Sequence, residues 1–244
     1  MSTSHHRAPD AAEPTPSPAW VQRVARDVGA LERSSTAERV ADVLRRRITE
    51  GDLAPRAHLP EEQLIAALRV SRNTLREAFR MLSHEGLLVH ELHRGVFVRE
   101  VDEADLRDLY RLRLMIECGV IRSLAQGAPG DLGALHTDLS LAVSASSRGD
   151  WVAVGTANMA FHHDLVALAK SPRTDQTMQR LLAEVRLAFH AAASPERLHG
   201  KYVDRNRELL DLLVAGEYEP AAHLLEDYLR DSLAELLDAL TEQA

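Results

Sequence analysis

The chain has 244 residues, a formal net charge of −8, 45% hydrophobic and 4% aromatic residues, and one cysteine. That length suits two domains, and a lone cysteine excludes an intrachain disulfide and any paired-cysteine metal knuckle, which fits a reducing cytoplasm. No run of about 18 apolar residues is present, so no membrane span is expected, and a composition rich in Ala, Leu, Arg and Glu favours helices.

The charge is uneven along the chain. Residues 36–99 hold eleven arginines against nine acids, whereas residues 100–244 hold fourteen basic and twenty-four acidic side chains. An acidic body repels phosphate, so any nucleic-acid contact is expected from the first block.

Residues 1–34 are rich in Pro, Ser and Ala and lack a basic start followed by an apolar block. They read as a disordered tail rather than a secretory signal. The first domain is placed at 35–100. In TAERVADVLRRRITEGDL, Val40, Val43, Leu44 and Ile48 recur at helical spacing after Thr36, and Gly51 ends the run. Pro55 breaks the chain, and PEEQLIAAL supplies a short second helix with Leu64, Ile65 and Leu68 inward. Ser71 is placed to cap a third helix whose buried stripe is Leu75, Ala78, Phe79 and Leu82, while Arg72, Arg76 and Arg80 lie on another face. LLVHELHRGVFVRE then reads as two strands around His93, Arg94 and Gly95.

Three helices followed by a hairpin describe a winged helix-turn-helix, in which the start of the third helix enters the major groove of double-stranded DNA. Free N–H groups and a serine hydroxyl at that helix start suit phosphate, and arginine can fork onto guanine. VSRNTLREAFRMLSHEGLL and HRGVFV resemble the recognition helix and wing of the GntR family of bacterial transcription regulators, over about 64 residues. The resemblance implies that Arg72 and Arg76 read bases and that Ser71, Asn73 and Thr74 meet phosphates or base edges. Arg45 or Arg46, and Arg94 with Gly95 in the wing, would add backbone contacts. Asn73-Thr74 replaces the family's commoner Thr-Pro, and Pro55-Arg56 its usual Pro-Gly.

From residue 101 to 244 the pattern is helix after helix, at about 103–127, 130–147, 150–170, 174–193, 196–215 and 218–242, separated by Pro and Gly. The fold expected is mainly α: the winged head plus a C-terminal bundle of six or seven helices. No phosphate loop, nucleophile elbow or catalytic carboxylate pair appears, so the chain is not expected to be an enzyme.

Several polar residues fall on the apolar stripes: Arg113 with Glu117 a turn away, Asn158, His162, Asn206 and Tyr228. Two readings stand. One is a polar core in which Asn158 bonds Asn206 and Arg113 pairs with Glu117. The other is a pocket where Arg113 meets a carboxylate and His162, Asn206 and Tyr228 hydrogen-bond the ligand. Arg186 and His190, one turn apart on the fourth helix, are weaker candidates for that pocket, and a solvated helix face is the reading preferred for both.

RLRLMIE at 111–117, NMAFHHDL at 158–165 and GEYEPAA leading to Tyr228 resemble the FadR C-terminal (FCD) domain, over about 140 residues. Many such domains hold a divalent metal through Asp or Asn, a histidine one turn later and two further histidines. Carried over, Asn158 and His162 match, but the third and fourth positions fall on Asn206 and Tyr228. Two imidazoles are missing, so no cofactor is expected, and a metal-dependent regulator using Asn158 and His162 is the alternative. The expectation is a cytoplasmic, homodimeric repressor that binds an inverted-repeat operator. Its ligand would be a small organic effector, a carboxylate, taken by Arg113, Asn158, His162, Asn206 and Tyr228.

Overall fold

The computed structural model describes residues 36–127, 130–189 and 195–241, the side chains of 195–200 excepted. The expected N-terminal tail and His190 lie outside the described residues.

Helix α1 (36–49) buries Val40, Ala41, Leu44 and Ile48 along one stripe. Helix α2 (Glu61–Leu68) is short and half-buried, and ends at Arg69, whose left-handed backbone turns its N–H onto the Ile65 carbonyl. Helix α3 (Arg72–His84) starts where the Ser71 hydroxyl accepts the Thr74 N–H at 3.1 Å. It buries Leu75, Ala78, Phe79 and Leu82 completely.

Strands β2 (Leu88–Glu91) and β3 (Gly95–Val98) form the expected hairpin, with Leu88 opposite Val98 and Glu91 opposite Gly95. A two-residue strand β1 (His58–Leu59) adds to the far side of β3, giving the order β1-β3-β2. Gly95 is needed in this sheet: its φ is 108°, and a Cβ there would stand 2.9 Å from the His58 ring. Arg56, in place of the glycine usual in the resembling family, adopts φ 64° and donates to Glu100 at 2.8 Å.

Helix α4 (Glu103–Arg113) opens with a capping box between Asp102 and Asp105. It passes through a π turn (Leu114–Cys118) into α5 (Gly119–Leu124) without leaving the helical path. Then follow α6 (Gly133–Ser146), α7 (Trp151–Ala167), α8 (Pro172–Phe189), α9 (Pro195–Ala215) and α10 (Tyr218–Thr241). Helix α7 packs on α6, α8 and α9, and α10 packs on α4, α5 and α9. Nine of the seventeen residues of α7 are buried, and Asn158 and His162 are the polar ones among them. Among the described residues no helix is long and apolar enough to cross a membrane.

Arg45 departs from the expected phosphate contact. It lies on the buried stripe of α1 at 5% exposure, and its Nε and Nη2 grip the two oxygens of Glu85 at 2.8 Å each. Its Nη1 donates to Asp42 at 2.5 Å, and burial keeps the remaining N–H groups away from a duplex. Breaking this pair strands Glu85, which is as buried as its partner, with only Arg180 at 3.5 Å. Arg45→Met is expected to cost about 3 kcal/mol in urea unfolding. Arg47→Met, which removes exposed pairs, should stay within about 0.5 kcal/mol of wild type.

Candidate functional site

The side chains expected to face DNA come together at the start of α3 and in the wing. Ser71, Arg72, Asn73 and Arg76 are exposed, and Thr74 is half-buried behind the cap, its N–H already taken by the Ser71 hydroxyl. The buried stripe fixes the rotation of α3, so Arg72, Arg76 and Arg80 share its outer face. Without DNA, Arg72 pairs with Glu62 and Arg76 with Glu61 at 3.3 Å, both acids lying on α2. The sequence reading did not anticipate these two carboxylates. Such half-exposed pairs contribute little, so phosphates and base edges can replace them cheaply. In the wing, Arg94 and Gly95 are exposed at the β-turn; Arg94 pairs with Glu91 and lies 5.3 Å from the Phe97 ring centroid. On α1, Arg46 is exposed, unlike Arg45.

The second site is a buried polar cluster where α4, the π turn, α7, α9 and α10 meet. Arg113 Nε donates to Glu117 Oε1 at 2.7 Å, and the other Glu117 oxygen lies 2.6 Å from His162 Nδ1. His162 Nε2 is 3.1 Å from the Tyr228 hydroxyl, which is 3.0 Å from Asn158 Oδ1. Asn206 Nδ2 donates to that same oxygen at 2.7 Å. All five proposed effector residues therefore lie in one hydrogen-bonded chain, with Glu117 as its hub. The Arg113–Glu117 and Asn158–Asn206 bonds of the polar-core reading are both formed.

The proton positions follow from charge. Burial pushes the Glu117 carboxyl up, but Arg113, with His162, more than offsets it and holds the group below its ordinary value. Burial pulls His162 down, with Glu117 opposing and Arg113 adding, so the imidazole is neutral. A carboxylate cannot donate, so the single ring proton sits on Nδ1 and Nε2 accepts. Tyr228 then has one proton for two acceptors, His162 Nε2 and Asn158 Oδ1. Two buried atoms of the cluster, Arg113 Nη2 and Asn206 Oδ1, have no hydrogen-bond partner.

A divalent metal does not fit this donor set. The four carried-over positions offer one imidazole, two amides and a phenol, whereas such ions take imidazole, thiolate or carboxylate. The one carboxylate beside them, Glu117, has its two oxygens engaged by Arg113 and His162. Among the described residues no group of three or more His, Cys, Asp or Glu could hold one.

Arg186 overturns its assignment to a solvated face. It is 4% exposed, packed inside the bundle between Val185 and Leu187 of α8, both buried.

A DNA-binding head with a recognition helix and wing, joined to a helical bundle enclosing a polar cluster, defines a transcription regulator. The family models match both halves: residues 36–98 fit the bacterial regulatory proteins of the gntR family, and residues 108–231 fit the FCD domain. The chain belongs to the GntR family of transcription regulators and carries an FCD domain.

Among solved structures it is similar to a transcriptional regulator of the GntR type from Rhodococcus sp. RHA1, with a TM-score of 0.77 and 42% identity over 84% of this chain and 99% of that one. E. coli McbR/YncC shares the fold, with a TM-score of 0.73 at 23% identity over 83% and 97% of the two chains. Among named relatives, the "Probable D-xylose utilization operon transcriptional repressor" of Paenarthrobacter nicotinovorans is 29% identical over 80% of this chain and 86% of its own. The "Gluconate operon transcriptional repressor" of Bacillus licheniformis is 36% identical over 45% and 44%. The family and these relatives are regulators of transcription, not enzymes.

The neutral state of His162 has a measurable consequence. Its folded pKa lies below the ordinary 6.5, so the unfolded chain binds the extra proton first as pH falls. Stability is then lost from about pH 6.5 downward, by up to about 1.4 kcal/mol per pH unit. Urea unfolding between pH 7.5 and 5 should show a flatter profile for His162→Gln than for wild type.

Proposed function

We propose that the protein is a homodimeric repressor, acting in the cytoplasm, that grips an inverted-repeat operator. A small organic carboxylate bound in the FCD domain sets its affinity for that site. The repressor names of relatives covering either most or nearly half of the chain support the sign of regulation. Two heads are required to present two recognition helices one helical turn apart on the duplex, which is the basis for the dimer.

The observation that carries the effector half is the buried cluster itself. Polar atoms in a helical core are normally fully paired. Here Asn206 Oδ1 and Arg113 Nη2 are left without partners in the middle of an otherwise connected network. A ligand that offers a donor to the first and an acceptor to the second completes the network. Asn158, His162 and Tyr228 would reorient their shared protons around it. The effector alters operator binding only through its different affinity for two placements of the heads.

The DNA half is tested by fluorescence anisotropy on a labelled duplex from upstream of the coding sequence, with a scrambled duplex as control. Arg72→Ala and Arg76→Ala should each weaken operator binding by roughly 10- to 100-fold, the worth of a bidentate base contact. Arg94→Ala should weaken both duplexes alike and lower the slope of log affinity against log salt by about one. Undiminished operator affinity in both α3 variants would remove the proposed reading face.

A further inference from the structure

We infer that Arg186 is the anchor for the effector's carboxylate, gripping it side-on through Nε and Nη2 within the FCD domain. The inference rests on the effector reading and moves the anion away from Arg113.

Three arginines are buried among the described residues: Arg45, Arg113 and Arg186. Two carry carboxylates. Arg45 holds both oxygens of Glu85 on its Nε–Nη2 edge at 2.8 Å, and Arg113 donates from Nε to Glu117 at 2.7 Å. Arg186 has no acid. Its Nη2 makes one long bond, 3.3 Å, to the Val152 carbonyl, and its buried Nε has no partner. The edge that Arg45 uses for Glu85 is thus vacant at one end and loosely held at the other.

The Val152 carbonyl is already engaged by its own helix, accepting the Thr156 hydroxyl at 3.0 Å. Losing the Arg186 bond therefore leaves no orphan behind. Burial alone pulls the guanidinium down to about 10, with no neighbouring charge contributing. At neutral pH it remains a cation, desolvated and uncompensated, which is the most costly way to bury an arginine. A planar carboxylate of small size matches the fork, restores charge balance and replaces the lost hydration.

Arg113 is the poorer receptor for an anion. Glu117 already neutralises it and is itself fixed to His162 at 2.6 Å. A second carboxylate there would set two anions against one guanidinium. Arg186 instead donates into the first turn of α7, the helix that also carries Asn158 and His162. The two sites are six residues apart on that helix, about 9 Å along its axis.

The test uses the full chain and thermal unfolding in acetate, succinate and gluconate, with chloride and sulfate at matched ionic strength. At least one carboxylate should raise the wild-type Tm by roughly 5 °C when present at about 100 times its Kd. Sulfate should not match it, and Arg186→Met should abolish the rise. Without ligand, Arg186→Met should unfold at or above the wild-type temperature, because it removes an unpaired buried charge. The inference is overturned by no rise with any carboxylate, an equal rise with sulfate, a rise that survives in Arg186→Met, or a destabilised ligand-free variant. An Arg186-dependent rise that leaves operator Kd unchanged would keep the anchor and reject the effector reading instead.

Discussion

One carboxylate, Glu117, fixes the interior of the FCD domain. It is fully buried in the π turn between α4 and α5, and its two oxygens point to different partners, Arg113 on its own helix and His162 on α7. Because Arg113 keeps Glu117 ionised, His162 must present its proton on Nδ1. That choice makes Nε2 an acceptor and draws on the single Tyr228 proton, for which Asn158 competes. The charge of one group thereby propagates, bond by bond, to α7, α10 and α9. A buried triad of this kind is weak evidence for stability, since a well-packed apolar set of the same volume is often as stable. What it supplies is a fixed set of orientations, a requirement of a binding site more than of a core.

The DNA-binding head solves a different electrostatic problem. The C-terminal half carries an excess of ten acids over basic side chains, so the protein as a whole is not drawn to DNA. The side chains expected to meet DNA lie on α3, in the wing and at Arg46 of α1. Even there the arginines rest on Glu61, Glu62 and Glu91 until a duplex displaces them. On the proposed reading, binding would exchange weak, half-exposed ion pairs for contacts to phosphate and base, so the net gain would depend on how well the duplex fits the arginine geometry. The buried pair Arg45–Glu85 takes no part in that exchange. It ties α1 to the end of α3, and it explains why two neighbouring arginines have opposite fates.

The helices of both halves were legible because Gly and Pro punctuate them and their apolar residues repeat every three or four positions. The α3 stripe and the Ser71 cap were readable for the same reason. Strand β1 was not, since two residues carry no periodicity and pair only because β3 is already in place. The π turn was equally hidden, because one extra residue in a turn leaves the local pattern almost unchanged. Arg45 and Arg186 show a different failure. Arg45 falls in register with Ala41 and Ile48, and Arg186 with Leu182 and Phe189, so spacing alone placed both inward. The prior that arginine is solvated overrode that spacing. For Arg45 a carboxylate explains the exception; for Arg186 nothing in the described structure does.

The placement of Arg186 also bears on how the two domains communicate. Arg180 and Glu184, one turn apart on α8, face the DNA-binding head: Arg180 approaches Glu85, and Glu184 lies 3.6 Å from Arg99 beyond the wing. Glu184 Oε2 also stands 2.6 Å from where a Cβ at Gly86 would be, so the head and α8 are in close contact there. At 3.6 residues per turn, Arg186 projects some 200° away from Glu184, into the bundle. The same helix therefore presents one face to the head and the other to the unpaired guanidinium. Under the proposed anchoring, an anion that neutralised that charge would change the forces on α8 without any contact between ligand and head. Packed interfaces switch between discrete arrangements more readily than they deform, so under that proposal the change would reach the head as a shift of α8 between packings. The strength of coupling is then bounded by the free energy released when the guanidinium finds its anion, because a ligand shifts an equilibrium only by its differential affinity for the two states.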